Sequence, residues 1–390
     1  MVYKNMTPFT PYCLSLFYFL FFAWMGIQIP YFNLYLYHLG MTSFQIGIVT
    51  ALIPLVRVFS PPFWGYLTDR YDGRGRLGTA LWIISTIIFS LLFFTESFFQ
   101  VALVITAFTF FWSPTLPVAE ASAMELARKR GIDYGRMRLW GTVGFIGLSW
   151  LTGIILDKVH ISAVLWGLLL LLVANIFVST GIPAAKNGGP HISLKNLSSQ
   201  ILRREALIFL FIAMLMLVSH STYYGFFSIY LESLGYSRSM IGILWALGPL
   251  GEVLVMFFSG RIMKKFGTVR VLAFSLLMAI IRWTLYAFAW SVPFLVFGQL
   301  LHAFTFGTFH IASVRYVEKL FPDSMRNTAQ ALYSSAAYGM GLVLGTVACG
   351  LLYDRVGAPV LFFLSALVSM VALGALVRER RRAGEAPVGE

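Results

Sequence analysis

The chain alternates long apolar runs with short breaks of charged, Gly and Pro residues, and the runs match the roughly 20 apolar residues that a helix needs to cross the hydrocarbon core. Breaks at these positions predict spans over 12–37, 44–66, 77–95, 98–124, 136–156 and 160–182. A polar stretch follows, and six more runs then cover 206–232, 239–262, 268–290, 293–317, 328–353 and 357–377. The pattern predicts an all-α membrane protein with twelve transmembrane helices. Its domains are a six-helix half over 1–182, a linker over 183–205, a second six-helix half over 206–377 and a tail over 378–390. The linker holds Pro183, Gly188, Gly189 and Pro190, with room for a short amphipathic helix around Leu194 to Leu202 but not for a further domain. The first apolar run is too long for a signal peptide and lacks small-residue cleavage spacing, so it is expected to remain as a helix.

Placing Lys and Arg between these spans gives an orientation. On one side fall 24 of the 29 cations, three (Lys158, Arg238, Arg355) fall on the other, and Arg57 and Arg282 lie inside spans. The positive-inside bias therefore predicts cytoplasmic termini. One missed helix would invert every later loop and erase this asymmetry, so the charge pattern tests the span count.

Half of the chain also repeats. Ile46, Gly47, Ile48, Ala51, Leu52, Pro54, Leu55, Val58, Phe63 and Gly65 return 195 residues later as Ile241, Gly242, Ile243, Ala246, Leu247, Pro249, Leu250, Val253, Phe258 and Gly260. Upstream, Tyr35, Leu36, Leu39 and Gly40 return as Tyr230, Leu231, Leu234 and Gly235. Six helices per unit preserve orientation, which predicts two parallel pseudo-repeats with a substrate near the midplane and alternating access by rocking.

Composition agrees with a bilayer solvent: 58% of residues are apolar, 12% are charged, and mean hydropathy is +0.79. The net charge of +13 follows from loop topology and implies no nucleic acid. Two cysteines, Cys13 and Cys349, predict no disulfide framework. No metal-ligand run, phosphate loop or nucleophile elbow is present, so neither enzyme chemistry nor a cofactor is implied.

Charges inside the bilayer are costly and by default face a cavity or a partner. The candidates are Arg57, Glu120, Arg138, Glu252, Arg282 and His302. The repeat equates Arg57 with Glu252, each near the middle of its half's second span. Arg282 stands 12 residues past Arg270, about 18 Å deep at 1.5 Å per residue. Fixed ion pairs between helices are the plain alternative for these residues. His310 reads as packing. With three Arg and two Glu, one cation is left over, and a substrate carboxylate would suit it.

The loop after span two reads GYLTDRYDGRGR over 65–76. It resembles the major facilitator superfamily motif, with one residue inserted before Gly73, and the resemblance implies that fold and a gating role for Gly65, Asp69 and Arg70. Glu120 with YGRMRLWG over 134–141, Gly251-Glu252, Arg282-Trp283 and His302 resemble the lactose permease group. That resemblance implies substrate contacts at Glu120, Arg138 and Phe145, the last standing where the group has a stacking Trp. It also implies proton handling in the second half. Thr305 and Gln299 replace that group's Glu and Lys, which leaves Glu252 and His302 to couple the proton. Trp140, Arg282-Trp283 and the QLLH run over 299–302 are closer to the phenylpropionate permease branch.

These features imply a secondary transporter, with proton symport of a small organic substrate favoured. An aromatic or other organic anion ranks ahead of an oligosaccharide or nucleoside. Arg57, Arg138 and Arg282 would orient substrate. The expected setting is a multi-pass monomer in an inner membrane, with a small-molecule substrate, protons and lipid as partners. Proton-driven efflux of lipophilic compounds is one alternative, and a non-transporting receptor or assembly factor another.

Overall fold

A computed structural model describes residues 9–70, 74–183, 203–288, 291–382 and 384. The predicted linker helix near 194–202 lies outside them. All elements of the described chain are helical. In order they are α1 (Thr10–His38), α2 (Ser43–Arg70), α3 (Arg74–Ser90), α4 (Phe98–Trp112), α5 (Thr115–Arg130), α6 (Tyr134–Leu156) and α7 (Ala163–Ser179). There follow α8 (Arg204–Ser233), α9 (Arg238–Phe266), α10 (Thr268–Phe288), α11 (Val292–His302), α12 (Phe309–Leu320), α13 (Arg326–Ser334) and α14 (Leu342–Arg382).

Ten segments are long and apolar enough to cross a membrane. The last, Arg326–Arg382, bends at Gly357 (φ 75°) and makes two passes, and the shorter apolar helix Ala163–Ser179 completes the predicted twelve. Large apolar side chains cover the outside: Phe99 is 80% exposed and Phe257 87%. Water would not tolerate so many such residues, and lipid does.

Three spans depart from the plain helices predicted. The fourth pauses at Ser113-Pro114, between α4 and α5, and runs on to Arg130. The tenth and eleventh each contain a π turn, Ala303–Thr308 between α11 and α12 and Ser335–Gly341 between α13 and α14. Apolar periodicity cannot reveal such turns, because one extra residue per turn leaves the run equally apolar.

The repeat is visible in the backbone. Gly40 and Gly235, which are 195 residues apart, share φ +83°. Each closes its helix with the same six-residue bond, Met41 N donating to Leu36 O and Tyr236 N to Leu231 O. Only glycine takes that left-handed conformation without strain.

The chain divides into two compact units, Met1–Gly189 with Leu231–Ala246, and Pro190–Tyr230 with Leu247–Glu390. In the first, α1 and α6 touch backbone to backbone: a Cβ on Gly144 would stand 2.2 Å from Phe19 O, and one on Gly26 would stand 2.5 Å from Phe145 O. The segment Leu231–Ala246 belongs here because polar groups hold it. Asp157 accepts from the amides of Arg238 and Ser239 at 2.7 and 3.2 Å, and Arg238 Nη1 donates to Leu156 O at 2.8 Å. Glu232 meets His38 at 2.7 Å and Arg238 at 3.3 Å. The second unit packs α10 on α14 and sets Gly341 and Gly345 against α8.

Candidate substrate and proton site

In the first unit Arg138 projects from the second turn of α6, a helix whose start is fixed by the Asp133 carboxylate accepting from Gly135 N at 2.8 Å. Its Nε lies 3.6 Å from Glu120 Oε1, and its guanidinium sits 4.1 Å from the Phe22 ring and 5.3 Å from the Tyr18 ring. Gly141 makes the room, since a Cβ there would stand 2.6 Å from Phe22 and 3.2 Å from Arg138 Nη1. Arg57 is exposed on α2, with its guanidinium 4.8 Å from the ring of buried Trp112. Phe145 is 9% exposed, with its backbone against Gly26, and makes no ring contact with Tyr18, Phe22 or Trp112 among the described residues.

Trp24, Phe32, Phe89, Phe108 and Trp112 line a void inside this unit, with Gln28 and Thr109 as its polar groups. At about 10 Å³ the void is too small for an organic ring.

Gly65 lies in α2 with open space where a Cβ would stand. Asp69 and Arg70 end α2, and their side chains, like residues 71–73, lie outside the described set.

The second unit brings the remaining candidates together. Arg282 on α10 is fully buried and ringed by aromatics, its guanidinium 4.4 Å from Tyr223, 4.5 Å from Trp283 and 5.6 Å from Tyr286. Nη1 bonds His302 Nδ1 at 2.7 Å and Thr305 Oγ1 at 3.2 Å, and Nη2 reaches Gln299 Oε1 at 3.5 Å. His302 Nε2 stands 2.9 Å from Glu252 Oε1.

These contacts fix the histidine chemically. A guanidinium only donates, so Nδ1 accepts, and Nε2 carries the hydrogen and donates to Glu252. A neutral imidazole therefore joins Arg282 to Glu252. Glycines permit this stack: a Cβ on Gly248 would stand 2.9 Å from the His302 ring, and one on Gly307 would stand 3.4 Å from Glu252 Cγ.

Two donors in this buried cluster, Arg282 Nε and Gln299 Nε2, have no hydrogen-bond partner among the described residues. Among the described residues no carboxylate is in ion-pair contact with Arg282 or Arg57, whereas Arg138 has Glu120.

Sequence reasoning missed His220, which is fully buried on α8. Its Nδ1 donates to Met216 O at 2.7 Å, and its Nε2 lies 3.4 Å from Thr305 Oγ1. The rule that selected His302 selects it too, since it lies in the middle of a span. Tyr223, whose hydroxyl donates to Gln299 Oε1 at 3.1 Å, gave no signal among 18 tyrosines. His310, read as packing, is hydrogen-bonded: Nδ1 lies 3.0 Å from the Tyr338 hydroxyl and 3.4 Å from that of Tyr333.

Residues 12–364 match the MFS_1 like family. The chain belongs to that family. It is a multi-pass membrane protein and a secondary transporter of the major facilitator type, not an enzyme. It is 31% identical over 369 residues to a protein of Escherichia coli (strain K12) named probable 3-phenylpropionic acid transporter, covering 92% of this chain and 95% of that one. Maltose permease of Geobacillus stearothermophilus is 26% identical over 381 residues, with 95% of each chain covered. The crystal structure of the nucleoside transporter NupG (D323A mutant) superposes with a TM-score of 0.86 at 20% identity, covering 95% of this chain and 99% of that one, which shows a shared fold.

Proposed function

We propose that this transporter is a proton symporter of a small organic anion, with an aromatic carboxylate favoured. The observation that carries the reading is the charge state of the cluster on Arg282. Among the described residues its cation touches only neutral acceptors and aromatic faces, its counter-charge Glu252 lies one imidazole away, and two buried donors beside it lack acceptors. Buried donors without acceptors are costly, and a carboxylate offers two acceptor oxygens. Likeness to a phenylpropionic acid transporter supports the aromatic class. In the first unit, Arg57, exposed beside Trp112, and Arg138 with Glu120 are the candidate substrate contacts.

Coupling follows from charge. With Glu252 ionised, Arg282 is balanced at one remove and an anion gains little. Once Glu252 takes a proton, Arg282 is an unbalanced buried cation that attracts the substrate, so proton and anion bind together. The loop charges support an inner-membrane orientation with cytoplasmic termini.

The test is uptake into proteoliposomes of 3-phenylpropionate, lactose and uridine, with and without an inward proton gradient. Gradient-driven accumulation of 3-phenylpropionate is the expected result. Accumulation of only lactose or uridine would refute the anion, and gradient-independent equilibration would refute symport.

A further inference from the structure

The second unit holds three histidines inside spans, and they differ in what faces Nδ1. At His302 it is a guanidinium, which only donates. At His220 it is the Met216 carbonyl, which only accepts. Each of those rings is pinned in one tautomer. At His310 the partners are the hydroxyls of Tyr338 and Tyr333, and a phenol both donates and accepts. His310, unlike His302, can gain a proton at Nδ1, and give it up again, while keeping a hydrogen bond to a hydroxyl.

The π turn puts this ring in place. Eight residues at 100° each would set His310 about 80° around the helix from His302, but a turn that absorbs one residue makes the separation act as seven, within about 20° of the same face. Gly307, inside that turn, is where the Glu252 stem lies against the helix, five residues after His302 and three before His310. The Glu252 stem therefore lies along the helix at a level between the two histidines. Glu252 bonds His302 at 2.9 Å. Tyr338 belongs to the second π turn, so both irregular turns meet at His310. Beyond His310, α12 leads to Arg315 and Lys319, at the loop side richest in cations.

Building on the proton-symport reading, we infer that His310, and not His302, is the histidine that takes up and releases the transported proton, relaying it between Glu252 and the basic-loop side. In the step the Glu252 O–H bond breaks and an N–H bond forms on the His310 ring, through one bridging water or by rotation of the Glu252 side chain. The carboxylate left behind accepts from His302 Nε2, and the imidazolium then loses its proton to water. His302 serves as a neutral wedge that carries Arg282's influence to Glu252.

The groups bonded to His310 are Tyr333 and Tyr338 from the following span; Glu252 of α9 lies against Gly307 three residues earlier, and Arg315 and Lys319 follow along its own helix.

The experiment is a pH titration of the full-length protein with ¹⁵N-labelled histidine in nanodiscs, read by solid-state NMR. Signals are assigned with His310→Gln, His302→Gln and His220→Gln. The His310 ring is expected to change protonation state across the scanned pH range, with the His302 ring keeping one neutral tautomer. Titration of His302 with a silent His310 would overturn the inference. In proteoliposomes, His310→Gln should lower gradient-driven 3-phenylpropionate accumulation at least tenfold and keep exchange between preloaded and external substrate within about twofold. Accumulation by His310→Gln equal to wild type overturns the relay alone, whereas a wild-type protein that does not accumulate overturns the symport reading beneath it. Tyr338→Phe, which keeps the ring and removes the amphoteric hydroxyl, should move the His310 titration midpoint by half a pH unit or more. An unmoved midpoint counts against the relay.

Discussion

Replacing Glu252 by Gln removes one negative charge and almost no volume, so its effect on substrate binding is electrostatic. The path from Arg282 Nη1 to Glu252 runs 2.7 Å to His302 Nδ1, across the ring, and 2.9 Å on to the carboxylate. At about 7 Å and an effective dielectric near 20, the Arg282–Glu252 interaction is worth about 2.4 kcal/mol. Adding a proton to Glu252 frees that much attraction for an anion at Arg282, a change of roughly 50-fold in affinity at 1.4 kcal/mol per decade. The sign follows. Wild-type affinity for the anion is high at low pH, where Glu252 is protonated, and falls as pH rises and it ionises. Glu252→Gln mimics the protonated state, so it should bind tightly at every pH and lose the pH dependence. It should also fail to accumulate substrate, because the proton step is gone, while exchange survives. Equilibrium binding of radiolabelled 3-phenylpropionate from pH 5.5 to 8.5, measured by scintillation proximity, checks this. A Glu252→Gln protein with the same pH-dependent fall as wild type would refute the coupling argument.

Arg282→Lys keeps the charge but replaces a planar fork with a single point, so the bonds to His302, Thr305 and Gln299 cannot all be kept. Uptake should fall at least tenfold in protein that still elutes as a single species on gel filtration. Gly144→Ala would set a Cβ 2.2 Å from Phe19 O and should destabilise by about 1–3 kcal/mol. Gly147→Ala, with open space at that point, should instead gain up to about 1 kcal/mol from helix propensity. Scanning fluorimetry of the two purified variants compares the signs directly. Asp157→Asn weakens acceptance from the first amides of α9 and should cost about 0.5–1 kcal/mol, read as a lower melting midpoint by the same method.

The sequence carried the fold because membrane spans announce themselves by length and apolarity, and because loop cations checked the count. Gly40 and Gly235 were legible as partners in a repeat, and the shared φ of +83° is the backbone reason for both. Glu120, Arg138, Glu252, Arg282 and His302 could be selected because charge inside a bilayer is rare. What paired them could not, since it depends on which helix faces meet. Arg138 met Glu120, whereas Arg282 met His302 and neutral oxygens. The alignment of His310 with His302 on one helix face depends on a π turn that hydropathy does not register. His220 was visible by the same rule and was passed over. Attachment of Leu231–Ala246 to the first unit rests on which side chains and backbone groups meet, Asp157 with the Arg238 and Ser239 amides and Arg238 with Leu156 O, and no local pattern reveals that.

The central claim, that a proton travels with an organic anion, is tested most directly by pH. Lightly buffered proteoliposomes are mixed with 3-phenylpropionate and the external pH is recorded, with empty liposomes subtracting passive entry of the neutral acid. The account predicts a transient external alkalinisation in wild type that is absent in Glu252→Gln. Radiolabel uptake by wild type with no pH change above the empty-liposome control would contradict it.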